Sequence, residues 1–180
     1  MTELALRDIE FLRKVAGLGH ADADLTKGHG LLQLRWPKLD ARLRKVGLEC
    51  RIIEVYRPDA RQQWLFGQGR TATELEAKGI DPRYARAGAI VTNAWSALTS
   101  AHGWTEGGKP AAAALDVDPV GVDGRPWTPD DPWDEMVSEV ASCAAQSGLV
   151  HFMTQGKVRD KPHLQLVEWS DRLHSMTGIG

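Results

Sequence analysis

Residues 100 to 116 read Ser-Ala-His-Gly-Trp-Thr-Glu-Gly-Gly-Lys-Pro-Ala-Ala-Ala-Ala-Leu-Asp, and this stretch constrains the chain more than any other. It carries one imidazole, His102, and ends on a carboxylate, Asp116. The glycine- and alanine-rich run between them lets the backbone fold both side chains toward one point. Well downstream, Asp160-Lys161-Pro162-His163 supplies another carboxylate and another imidazole, three positions apart. Two histidines and one aspartate from separate parts of a fold suit a three-ligand zinc site with an open fourth position. A further carboxylate is the group a zinc hydrolase uses to handle protons. The rest of the chain is expected to hold these pieces around a cleft, on β-structure rigid enough to fix ligand positions.

With 180 residues the chain can bury a core without staples, and it reads as a single domain over 1–180. A formal net charge of -2 gives no argument for a nucleic-acid partner or an anionic membrane surface. Basic residues such as those of Lys38 to Lys45 read as the solvated face of a helix. Two cysteines, Cys50 and Cys143, are too few for a disulfide framework and are expected to be buried thiols. No apolar run is long enough to span a membrane, and Glu3, Arg7, Asp8 and Glu10 make the N-terminus unlike a signal peptide. Synthesis in the cytoplasm is therefore expected, with no stable membrane insertion and a monomeric state.

Apolar periodicity and turn signals divide the chain. Residues 1–35 form an N-terminal helix and connection, the helix over Leu4 to Val15, with His20 and His29 as surface residues of the polar stretch after it. Trp36-Pro37 opens a second helix, with Leu39, Leu43 and Val46 on one face and Gly47 as its stop. Cys50 to Tyr56 reads as a strand, and Asp59 as the cap of a helix from Ala60 to Gln68. Thr73 to Lys78 reads as a short helix, and Arg83 to Gly88 as another or a loop. Leu115 to Val120 alternates as a strand that puts Asp116 and Asp118 on the same face. A helix is expected from Trp133 to Gln146, with Trp133, Met136, Val137, Val140 and Ala144 facing the core. Strands follow over Leu149 to Met153, where His151 is a core residue or a neighbour of the site, and over His163 to Trp169, where His163, Gln165 and Val167 share a face. Helices early and late around several short strands give an α+β fold.

These motifs resemble those of the zinc peptidases that cleave peptidoglycan stem peptides. That family comprises D-alanyl-D-alanine carboxypeptidases and dipeptidases and L-alanyl-D-glutamate endopeptidases of bacteriophage lysis and wall turnover, and hedgehog signalling domains share its fold. The family pattern is Ser-x-His, a short Gly/Ala run, Ala-x-Asp, and a carboxylate followed by x-x-His. Here stand Ser100-Ala101-His102, Ala114-Leu115-Asp116 and Asp160-Lys161-Pro162-His163. Tyr56-Arg57-Pro58 followed by Arg61-Gln62-Gln63 resembles the family's Tyr-Arg-Ser and Gln-containing helix. Phe66 to Thr71 and Val91-Thr92-Asn93-Ala94 resemble the endopeptidase branch, and Asp134 after Trp133 also has its likeness in the family. The likeness covers roughly residues 36 to 168.

The resemblance implies a small antiparallel sheet with flanking helices, hedgehog- and D-Ala-D-Ala-peptidase-like. It implies zinc bound by His102, Asp116 and His163, with metal-bound water as nucleophile. Asp160 would be general base and then acid. Arg57 would face the scissile carbonyl or a substrate carboxylate, and Ser100 would support the site or touch substrate. The run Gly103 to Ala112 makes the His102–Asp116 spacing longer than is usual in the family, which leaves Asp118, and after it Glu106, as alternative ligands. The activity implied is that of a phage endolysin cutting the L-alanyl-D-glutamate bond of peptidoglycan, released from the cytoplasm to act in the periplasm. The alternatives are a D-alanyl-D-alanine carboxypeptidase or dipeptidase, and a non-catalytic zinc-stabilised binding module of the same fold.

Overall fold

A computed structural model describes residues 11–12, 15–121, 131–151 and 162–169, without the side chains of residues 144, 145 and 151. The chain gathers into two compact units, Met1–Ala21 with Arg57–Gly103, and Asp22–Tyr56 with Trp104–Gly180. The class is α+β, a small antiparallel sheet accompanied by helices.

The sheet belongs to the second unit. Helix α1 (Gly30–Lys45) leads into strand β1 (Cys50–Glu54). A two-stranded hairpin follows, β2 (Thr105–Glu106) and β3 (Lys109–Pro110), then β4 (Ala114–Pro119). Helix α4 (Trp133–Ser147), β5 (Leu149–His151) and β6 (His163–Leu166) complete the unit. The four-stranded sheet runs β1-β4-β6-β5, with every neighbouring pair antiparallel. Strand β4 is therefore internal, and five of its six residues are buried. The register sets Asp116 directly opposite His163, and Asp118 opposite Arg51.

Helix α1 starts six residues before Trp36. His29 is its N-cap, with Nδ1 accepting from the Leu31 amide at 3.1 Å, so His29 is a half-buried capping residue and not a surface one. Pro37 lies inside the helix, where it has no amide to donate to the Gln33 carbonyl. The stripe Leu32, Trp36, Leu39 and Leu43, at near-helical spacing, outweighs that loss by burying four large side chains. Val46 belongs to the C-cap and is exposed, not part of the buried face. Helix α4 buries Trp133, Met136, Val140 and Cys143, and packs on α1 and β5. Val137 is only partly covered, and the side chain of Ala144 lies outside the described residues. Strand β6 stops at Leu166, after which residues 167–169 turn helical, so Val167 is exposed and does not extend the strand face.

The alanine run earns its composition. Ala111, Ala112, Ala113 and Ala114 are all buried. The Ala112 amide donates to the Lys27 carbonyl at 3.0 Å, the His29 amide to the Ala112 carbonyl at 2.8 Å, and the Leu166 amide to the Ala113 carbonyl at 2.9 Å. Methyl side chains allow this close backbone approach on either side of one segment. The hairpin before it turns through Gly107 and Gly108, at φ +57° and +76°, the conformation a two-residue hairpin turn requires.

In the first unit, helix α2 (Asp59–Phe66) and helix α3 (Ala72–Glu76) surround a core of Phe66, Leu75, Ile80 and Tyr84. Strand β1 ends at Glu54, and α2 begins at Asp59, with Pro58 as N-cap. Asp59 does not cap its own helix. Its Oδ1 accepts the Ala97 amide at 2.7 Å, at the start of the 3-10 turn Ala97–Thr99, and its Oδ2 accepts from Gln63. Thr71 and Glu74 form a capping box that starts α3 just before Thr73. Pro82–Tyr84 is a 3-10 turn where the sequence left helix or loop open. The helix expected over Leu4 to Val15 lies mainly outside the described residues, and Phe11, Leu12, Val15 and Ala16 are helical. Both cysteines are free and buried, and burial pushes the Cys50 thiol up to about 12.

Candidate metal centre

His102 sits on a 3-10 turn, Ala101–Gly103, and is 1% exposed. Its backbone is held from two directions. The His102 amide donates to Ser100 Oγ at 3.3 Å, and the His102 carbonyl accepts the Arg57 amide at 3.0 Å. Ser100 is itself buried, and its hydroxyl oxygen holds the histidine backbone. Gly103 could not be replaced without movement. A Cβ there would lie 2.4–2.5 Å from Ala97 Cα, Cβ and O. This is the small residue the turn needs directly after the histidine.

Asp116 and His163 are neighbours across β4 and β6. His163 Nδ1 lies 3.3 Å from Asp116 Oδ1, with both side chains close to nine-tenths buried. The other ring nitrogen, Nε2, lies 3.2 Å from Gln165 Oε1. One ligand atom from each of His102, Asp116 and His163 lies within 4.8 Å of the others, so the three could hold a metal ion.

The donor set fits zinc. Two imidazoles and one carboxylate are ligands of the right hardness, and three protein ligands leave a fourth position open. Ligands at about 2.0–2.1 Å from a tetrahedral zinc stand ~3.3 Å apart. The Asp116–His163 pair already has that spacing.

The alternative ligands are engaged elsewhere. Asp118 is fully buried, and its Oδ2 accepts from Arg51 Nε at 3.0 Å and Nη2 at 2.9 Å. Glu106 projects from the hairpin with its side chain 69% exposed, 3.9 Å from His29 Nε2. The register explains the difference: Asp118 faces an arginine across the β1–β4 ladder, whereas Asp116 faces a histidine across β4–β6. Asp160, expected as base, lies outside the described residues, as does the side chain of His151.

Arg57 is 8% exposed, and its Nη1 donates to Gln62 Oε1 at 3.2 Å. Gln62 is fully buried on α2. Its Nε2 donates to Thr92 Oγ1 at 3.2 Å and to the Ala94 carbonyl. One carboxamide thus joins the guanidinium to residues 92–94. Sequence reading placed Gln62 only in a motif. The signal for its role is its position five residues after Arg57, within α2.

The run Phe66 to Thr71 also acts on residues 92–94. The Arg70 guanidinium stacks 3.6 Å over Phe66, and its Nη2 donates to the Thr92 carbonyl at 2.9 Å. A Cβ on Gly67 would lie 2.2 Å from the Tyr84 carbonyl oxygen, and Gly69 has φ +74°. Each residue of the run has a backbone or packing reason, with Thr71 capping α3. No family model matches the chain, and no curated protein matches it.

Proposed function

We propose that this protein is a zinc-dependent peptidoglycan hydrolase of hedgehog- and D-Ala-D-Ala-peptidase-like fold. Its reaction is cleavage of the L-alanyl-D-glutamate bond of stem peptides, as a lysis enzyme acting on the wall from the periplasm. The observation that carries the reading is the gathering of His102, Asp116 and His163 within 4.8 Å. These residues are separated in sequence and stand on different elements, and they supply the donor set of a catalytic zinc site with one position open. A zinc ion held there would supply Lewis-acid activation of water and of an amide carbonyl.

The chain's own residues do the rest. Arg57 presents a guanidinium pre-oriented by Gln62, a fixed fork suited to a developing oxyanion or a substrate carboxylate. Asp160 takes a proton from water and returns it to the leaving amine, so that the amide nitrogen departs neutral. Ser100 Oγ and the Arg57 amide hold the His102 backbone in place.

A second reading, D-alanyl-D-alanine carboxypeptidase, has one observation in its favour. The Phe66 to Thr71 run, which resembles the endopeptidase branch, has contacts inside the fold that account for it without a substrate. Digestion of purified peptidoglycan with and without a chelator, read by mass spectrometry, separates the readings. Chelator-sensitive release of peptides with new L-alanine C-termini and D-glutamate N-termini is expected. Release of D-alanine alone would replace the endopeptidase reading with the carboxypeptidase one. No product from folded, zinc-loaded protein would leave a zinc-stabilised binding module.

A further inference from the structure

Gln165 is a buried carboxamide in an apolar stretch of sheet. It is 6% exposed, and its partners across the two neighbouring strands are Ala114 and Val150, both buried. Neither of those side chains can hydrogen-bond. A carboxamide in such a place is costly unless its polar atoms find partners. Its Oε1 lies 3.2 Å from His163 Nε2.

An amide oxygen only accepts, so this contact is a hydrogen bond when Nε2 carries the proton. A neutral imidazole then has its lone pair on Nδ1, the nitrogen that faces Asp116 at 3.3 Å. A lone pair beside a carboxylate oxygen repels it, unless a cation or a proton stands between. The arrangement on the Gln165 side therefore prepares the Asp116 side for a cation. We infer that Gln165 is the positioning residue of the centre: its side-chain oxygen holds the proton on His163 Nε2 and so reserves Nδ1 for the metal. The inference rests on the metal-centre reading and adds a residue to it. Groups that hold the second nitrogen of a ligating histidine set ring orientation and ligand basicity.

The test uses the full chain and zinc alone. Zinc affinity is measured at one neutral pH by competition with a chromophoric chelator, for the wild type, Gln165→Met and Gln165→Glu. Methionine keeps the bulk and removes the acceptor, whereas glutamate keeps an acceptor oxygen. Gln165→Met is expected to bind zinc about 10–100-fold more weakly, and Gln165→Glu to stay within a few-fold of the wild type. Circular dichroism melting of each apo protein identifies variants that have failed to fold. Two-bond nitrogen–proton correlation on the zinc-loaded wild type provides a readout that needs no variant: the metal is expected on His163 Nδ1 and the proton on Nε2. Metal on Nε2 would overturn the inference. So would equal weakening by both folded variants, which would mark Gln165 as packing only, or unchanged affinity in Gln165→Met. A wild type that binds no zinc would instead remove the metal centre, and this role with it.

Discussion

The Arg57 amide donates to the His102 carbonyl at 3.0 Å, so the proposed electrophilic residue and the first proposed ligand are joined through their backbones. Side-chain replacement at Arg57 leaves that bond in place. Arg57→Ala is therefore expected to keep its zinc while kcat on peptidoglycan falls about 100- to 1000-fold, the usual cost of losing one oxyanion donor. Arg57→Lys should lie between, because it retains the charge and loses the fork. Metal analysis beside turnover checks this, and loss of zinc in a folded Arg57→Ala protein would make Arg57 structural instead.

Asp116 and Asp118, two residues apart on β4, have different partners and should fail differently. Asp116→Asn removes an anionic ligand beside His163 and should reduce zinc stoichiometry with little change in the stability of the apo protein. Asp118→Asn removes the charged partner of Arg51 at a fully buried position. It should lower unfolding free energy by about 1–3 kcal/mol while zinc stays bound. Zinc titration with urea unfolding distinguishes the two, and the opposite pattern would move the ligand to Asp118.

Glu168 gives the fold a defined acid response. The Arg35 guanidinium donates to both Glu168 oxygens at 2.6 Å and holds the carboxyl down to about 2, from an ordinary 4.5. Because the folded value is the lower one, the stabilisation is complete above 4.5 and is lost as pH falls from there through about 2. The Glu168 side chain is 47% exposed, so solvent screening limits the pair to about 0.5–1 kcal/mol at neutral pH. Glu168→Gln should be less stable than wild type by that amount at pH 7, with the gap closing toward pH 2. Urea titrations across this range check it, and a gap that does not change with pH would assign the effect to packing.

What was legible in the sequence follows from how local each cause is. The span of α4 and the position of β1 follow from period and turn residues close by. The start of α1 is not legible in the sequence, because Trp36-Pro37 carries a strong helix-opening signal and the His29 cap that overrides it acts through one ring nitrogen. Strand β6 is shorter than its alternation implies, because the apolar pattern continues through Val167 while the backbone turns helical there. In the site, the spacing of His102, Asp116 and His163 gave a candidate set. The choice between Asp116 and Asp118 was not readable, since it depends on which residue stands across each ladder. The roles of Gln62 and Gln165 depend on particular side-chain hydrogen bonds; alternation puts Gln165 on one face with His163 but does not give the bond between them.

Asp160 separates an enzyme from a metal-stabilised module. It stands three positions before His163 in the sequence. If it moves protons, Asp160→Ala should retain zinc at the wild-type stoichiometry and lose hydrolysis by about 100- to 10,000-fold, the range for removal of a general acid–base group. Asp160→Glu should recover part of the rate, since a carboxylate one methylene longer can still reach a proton, though with poorer geometry. Turnover of purified peptidoglycan, with zinc content measured on the same samples, reads both effects. Undiminished hydrolysis in zinc-loaded Asp160→Ala would remove Asp160 from the reaction and require another base. Zinc loss in that variant would instead make Asp160 part of the binding site, so proton transfer would need a group other than the one the resemblance names.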